Sequence, residues 1–286
     1  MSERIHHDHR GIHGPFDLVG DVHGCLGELL ALLADLGWRV TTDEHGRPVG
    51  ASHPEGRRAV FVGDLVDRGP DSAGVLRLVM GMCADGDALT VQGNHDAKLA
   101  RALRGAQVNV RHGLAQSLAQ IDAVATGRPV VDGGPAHPAE PDFPDRVLRF
   151  LDAMAIHLVL DGGDLVVAHA GLKEAFHGRE SHEVCSFALY GDVRGEYTPE
   201  GLPVRREWER EYRGDARVVY GHTPITRAEW VNRTMCLDTG CVFGGELTAL
   251  RYPELEVVAV PARRTWWEPT APRREPAHDR DSARRL

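Results

Sequence analysis

Five short stretches concentrate the residues whose types suit chemistry: GDVHG at 20–24, GDLVDRG at 63–69, GNHD at 93–96, AHAG at 168–171 and YGHTP at 220–224. Each follows an apolar run with the composition of a β-strand. In open α/β sheets the carboxyl ends of strands face the ligand crevice. Asp21, His23, Asp64, Asn94, His95, His169 and His222 are therefore expected to converge. A single glycine-flanked Asp is ordinarily a turn residue, and a single His after a strand is ordinarily just hydrogen-bonded. Turn chemistry, however, gives no reason for a histidine or asparagine at every strand end. Acids, an amide and imidazoles gathered in one crevice are the ligand set of a divalent-metal site. The glycines let the backbone turn tightly at these strand ends.

Elements able to position such a site alternate along the first half. The strand from Phe16 leads to Leu26, Leu29, Leu30, Leu33 and Leu36 at helical spacing, closed by Gly37. Arg58 to Val62 reads as a strand, Ser72 to Ala84 as a helix, Ala88 to Val91 as a strand, and Ala97 to Leu103 as helical. This order predicts a parallel sheet covered by helices. Later strands, at Leu165–Ala168, Arg217–Tyr220, Met235–Leu237, Leu247–Tyr252 and Leu255–Val260, have few helices between them and suggest a second, more antiparallel mixed sheet. The stretch 125–145, dense in Pro and Gly, reads as a long loop. Residues 1–13, rich in His, and 263–286, rich in Arg, read as flexible tails around a domain at 14–262.

At 286 residues the chain can bury a sizeable core; 42% hydrophobic and 26% charged residues are ordinary for a soluble protein. No apolar run approaches the roughly 18 residues needed to cross a bilayer, and the start lacks a signal-peptide core, so the expected location is the cytoplasm, with no membrane partner. Five cysteines without C-x-x-C spacing indicate neither a disulfide framework nor a zinc ribbon. A net charge of −9 argues against a broad nucleic-acid surface but permits a small site for a phosphorylated end. No GxxxxGK[ST] occurs, so no P-loop kinase is expected.

The five motifs, in this order, resemble the signature of the binuclear metallophosphoesterases related to calcineurin and the phosphoprotein phosphatases, over roughly residues 15–262. The resemblance implies a four-layer α/β/β/α sandwich of two mixed sheets flanked by helices, with two divalent metals at one end. It also implies that Asp21 and His23 hold one metal, that Asp64 bridges, and that Asn94, His169 and His222 hold the other. The mixed N/O donors favour Mn, with Ni, Fe or Zn as alternatives, over Mg or Ca. By the same resemblance His95 is the general acid, Asp67 orients its imidazole, and Arg68 grips phosphate oxygens.

Substrate expectations come from the third quarter. ALYGDVRGEYTPEGLPVRREW (188–208) and the DTGC segment from Asp238 are similar to the phosphatase module of bacterial polynucleotide kinase-phosphatases and to the stand-alone dinucleoside-tetraphosphatase group. Asp238 would contribute to the site in the first case; spacing alone fits a turn residue before Gly240 equally well. The leading expectation is removal of terminal 3′-, 2′- or cyclic phosphates from nucleic-acid or nucleotide ends. The alternative is hydrolysis of bis(5′-nucleosyl) tetraphosphates, and LYGDV in place of an LWSDP-like stretch counts against a Ser/Thr protein phosphatase. Trp208 and Tyr212, four apart, are expected to pack a helix face rather than stack on bases, and Trp266 and Trp267 to pin the second tail.

Overall fold

The computed structural model describes residues 8–130, 137–197, 203–270 and 272–276. In chain order the first half contains β1 (Phe16–Val19), α1 (Leu26–Asp35), β2 (Arg39–Thr42), β3 (Pro48–Ser52), β4 (Arg58–Phe61), α2 (Ser72–Ala84), β5 (Ala88–Thr90), α3 (Asn94–Leu103), α4 (Leu114–Thr126) and α5 (Phe143–Ala153). There follow β6 (His157–Leu160), β7 (Leu165–Ala168), α6 (His182–Tyr190), β8 (Val193–Tyr197), β9 (Pro203–Arg205), α7 (Trp208–Glu211), β10 (Arg217–Tyr220), β11 (Trp230–Val231), β12 (Thr234–Cys236), β13 (Glu246–Tyr252) and β14 (Glu256–Pro261).

Two five-stranded sheets form the centre, in the orders β14-β13-β1-β4-β5 and β11-β12-β10-β7-β6. Period-two alternation divides each strand between two cores. Phe16, Leu18, Val60 and Val62 meet Leu165, Val167, Val219 and Met235 between the sheets. Val19 and Phe61 face the other way, onto Leu29, Leu32, Leu76 and Val79 of α1 and α2. Behind the second sheet, Val166, Ala168 and Val218 pack on Val184 and Phe187 of α6 and on Trp208 and Tyr212. The layers are thus helix, sheet, sheet, helix, as expected.

β1, β4 and β5 are parallel neighbours, and so are β7, β10 and β12. The expectation that the last two strands complete the second sheet is corrected: β13 pairs antiparallel with β1, and β14 with β13, so both belong to the first. Leu247, Ala249 and Val260 on these strands supply apolar area to the α1–α2 core, which is where their burial is satisfied.

The segments expected as tails also differ where they are described. The His9 amide donates to the Val159 carbonyl at 2.9 Å, and Asp161 donates to Ile12 at 2.9 Å. At the other end the buried Glu28 carboxylate accepts from the Arg263 amide at 3.0 Å and from Trp266 Nε1 at 2.8 Å. Arg274 exchanges backbone hydrogen bonds with Pro224 and Thr226. A carboxylate buried in α1 needs donors, and the Pro- and Arg-rich composition gives no hint of that demand. Trp208 and Tyr212 are 5% and 4% exposed, with ring centroids 6.0 Å apart, so they pack as expected.

Trp266→Ala removes a donor from Glu28 together with its apolar cover. It is expected to lower unfolding free energy by about 1–3 kcal/mol in urea titration; an unchanged midpoint would show that the Trp266 contact contributes nothing to stability.

Candidate metal centre

Hydrogen bonds between the strand ends of the two sheets show that both open on one crevice. The His222 amide donates to Asp21 Oδ2 at 3.0 Å, and His169 Nδ1 donates to the Val62 carbonyl at 3.0 Å. A Cβ on Gly221 would overlap Asp21 Oδ1, so only glycine permits this approach. His23, Asp64, Asp67, Arg68 and His222 all have φ between 45° and 74°. Left-handed backbone at non-glycine residues costs about 1 kcal/mol or more each and persists only where surroundings impose it.

Asp64 is the hub. Its Oδ2 lies 3.5 Å from His23 Nε2, and its Oδ1 lies 3.4 Å from His169 Nε2. Two groups of donor atoms result, His23–Asp64–His95 and Asp64–His169–His222, each with all atoms within 4.8 Å of one another. Asn94 Oδ1 is 3.0 Å from His169 Nε2, and His222 Nδ1 is also 3.0 Å from it. A carbonyl can only accept, so His23 Nδ1, 2.8 Å from Val66 O, and His169 Nδ1 carry their protons there. That fixes the tautomers and leaves each Nε2 lone pair toward Asp64, the arrangement typical of ligating histidines.

Electrostatics point the same way. Burial pushes the Asp21 carboxyl well above its usual range, and the charges of Asp238 and Asp64 add to this. Asp238 is pushed up to about 7, chiefly by burial, with the Gly240 amide and Arg68 opposing. For Asp64 the effect of burial is outweighed by His169, His95, His23 and His222, and its carboxyl is held well below the ordinary range. Burial and the Arg68 charge hold His23 neutral, well below the usual imidazole value. Arg68 NH1 donates to His23 Nε2 at 2.7 Å. Asp21 Oδ1 is buried without a hydrogen-bond partner among the described residues. Such an oxygen, beside two further carboxylates and neutral imidazoles, fits divalent cations.

Every residue expected from the motifs lies in or beside this crevice. His95 and Asp67 form a pair, with Nδ1 to Oδ2 2.6 Å. Asp238 is both a turn residue, its Oδ1 accepting from Gly240 at 3.0 Å, and a neighbour of Asp21. Sequence reasoning missed the supports. Ser117 Oγ donates to Asp67 Oδ1 at 2.7 Å, and Gln120 receives the Ser72 amide at 2.7 Å while donating to Pro70 O at 2.8 Å. Asp96 accepts from the Leu65 and Gly93 amides at 3.0 and 2.9 Å and so ties the GDLVDRG and GNHD turns together. The sole signal was Ser117 and Gln120 at i, i+3 on one face of α4, which looks the same when solvated.

Acids and imidazoles paired in this way at the strand ends of a four-layer sandwich define a metal-dependent phosphoesterase. The chain belongs to the calcineurin-like phosphoesterase family, whose model matches residues 14–260. Among curated proteins it is 44% identical over 247 residues to the bis(5′-nucleosyl)-tetraphosphatase PrpE (asymmetrical) of Geobacillus thermodenitrificans and 41% identical to that of Bacillus subtilis. Each match covers 86% of this chain and 94% of the relative. A crystal structure of a provisionally assigned diadenosine tetraphosphatase superposes with a TM-score of 0.57 at 26% identity, over 89% of this chain and 96% of the other. A cold-active protein-tyrosine phosphatase from a Shewanella species shares the fold, with a TM-score of 0.51 at 20% identity over 91% and 83% of the two chains. The expectation of a nucleic-acid end as substrate gains no support from these relatives; their names fall on the alternative. Among the described residues no helix is long and apolar enough to cross a membrane.

Ser117→Ala leaves the Asp67 amide its bond to Ser72 Oγ but removes the one it donates to Ser117 Oγ and the one that the Asp67 carboxylate accepts. A charge-assisted hydrogen bond of this kind corresponds to about tenfold in kcat. The expected result, on a chromogenic phosphomonoester, is that loss with KM little changed; full kcat would mean the Asp67–His95 pair needs no anchor.

Proposed function

We propose that this chain hydrolyses bis(5′-nucleosyl) tetraphosphates asymmetrically, to a nucleoside triphosphate and a nucleoside monophosphate. The observation that carries the reading is 41–44% identity to tetraphosphatases across nearly their whole length, combined with a complete donor set around Asp64. Asp21 and His23 would hold one divalent ion and Asn94, His169 and His222 a second, with Asp64 between them. Manganese is the proposed metal, since mixed imidazole, amide and carboxylate donors suit borderline transition metals. When bound, the ions supply an acidified water and polarise the phosphoryl group.

The remaining work falls to the chain's own side chains. Arg68, released from His23 Nε2, presents its planar fork to the non-bridging oxygens and stabilises charge as phosphorus becomes five-coordinate. His95 passes the proton on Nε2 to the departing oxygen. Asp67 keeps the Nδ1 proton in place and the ring in one orientation, because Ser117 holds its other oxygen.

The deciding experiment loads metal-stripped protein with Mn²⁺ and compares diadenosine tetraphosphate with a 3′-phosphorylated RNA oligonucleotide. A kcat/KM at least about tenfold higher on the dinucleotide, with ATP and AMP as products, is expected; preference for the oligonucleotide would overturn the substrate. Asp64→Ala and His169→Ala should each abolish turnover and release metal while circular dichroism stays native. Retained activity in either would end the two-ion arrangement.

A further inference from the structure

The connection between α3 and α4, residues 104–113, is seated against the GDLVDRG turn. Gly113, at φ 96°, lies so close to Arg68 that a Cβ would overlap the Arg68 backbone nitrogen. Gln116 donates to Gly69 O at 3.1 Å and continues the attachment. Lys98 stands three residues after His95 on α3, hence on the same helix face, and its Nζ donates to the Arg111 carbonyl at 3.2 Å. Arg68, Lys98 and His112 therefore gather beside His95, with Arg111 next to His112. Burial pulls the Lys98 ammonium below its usual range, with Asp67 opposing and Arg68 adding. His112 is pulled down by burial, Arg68, Lys98, His95 and Arg111 together.

Among the described residues none of these four groups forms an ion pair with a carboxylate. Several arginines elsewhere are matched, Arg57 with Asp17 and Glu254, and Arg47, Arg77 and Arg146 with Glu140. In a chain of net charge −9, Arg68, Lys98 and Arg111, without a carboxylate ion pair and set beside the proton donor, are prepared for an anion, and His112 adds an imidazole that can hydrogen-bond to it.

We propose that this strip binds the departing polyphosphate, so that water attacks the phosphorus of the monophosphate half and the nucleoside triphosphate is the leaving group. The inference rests on the dinucleoside tetraphosphate reading. His95 protonates the leaving oxygen, so the side on which it stands is the leaving side. Three linked phosphates there match several cations; a single departing monophosphate would not need them. In the step the water oxygen bonds to the first phosphorus. The bridging oxygen keeps the electron pair of the broken bond, stays on the second phosphorus and takes the proton of His95. The proton lost by water passes to solvent, from which His95 is reprotonated.

The test is hydrolysis of diadenosine tetraphosphate by the Mn²⁺-loaded protein in ¹⁸O-labelled water, read by mass spectrometry. Heavy oxygen in AMP is the expected result. Heavy oxygen in ATP overturns the inference and leaves the substrate reading standing, whereas no turnover of the dinucleotide overturns that reading itself. In parallel, Lys98→Ala should lower the ratio of kcat/KM on the dinucleotide to that on p-nitrophenyl phosphate about tenfold, the size of one charge-assisted hydrogen bond, and Lys98→Arg should restore most of it. Equal losses on the two substrates would show that Lys98 has only a structural part and would remove the strip.

Discussion

Asp21, Asp64 and Asp238 are buried within one crevice, and three carboxylates so placed cannot all remain ionised unless positive charge stands among them. Much of the architecture serves that constraint. Neutral imidazoles direct lone pairs toward Asp64 because backbone carbonyls of Val66 and Val62 hold their other nitrogens. Carbonyl partners are fixed by strand geometry, so the sheets orient the ligands as well as carry them. The left-handed turns at His23, Asp64 and His222 belong to the same arrangement, since they aim side chains from strand ends into a space that ordinary extension would miss.

Much of this was legible because strands and turns are local. Arg217–Tyr220 and Ser72–Ala84 coincide with the runs read from periodicity, and the six expected ligands meet where parallel strand ends place them. What escaped was long-range. Nothing in Leu247–Tyr252 says that it pairs with β1 rather than with its sequence neighbours, because alternation specifies a face and not a partner. Glu28 reads as an exposed acid in an amphipathic helix; its burial is known only once Trp266 and Arg263 arrive from the far end of the chain. Ser117 and Gln120 stayed silent for the same reason.

The helix α4 unites these observations. It sets the Asp67–His95 pair through Ser117, and through Gly113 it seats a cationic loop on Arg68. One element thus governs both the proton donor and the groups beside it. The metal cluster stands on strand ends of a rigid scaffold, while the segment between α3 and α4 is a loop, the kind of element that can change without disturbing that scaffold.

The antiparallel pairing of β1 with β13 also has a meaning for biosynthesis. β1 leaves the ribosome before the other strands of its sheet, yet its partner β13 follows more than two hundred residues later, with Asp238 and the docked Trp266 near it in sequence. Contacts so distant in sequence close slowly and only after the intervening chain exists. The first sheet therefore stays open along one side of β1 until β13 has been made. A nascent chain exposes an apolar strand edge throughout that interval, and a fragment ending before residue 246 would hold the strands of all five metal-binding motifs without the sheet edge that makes them rigid.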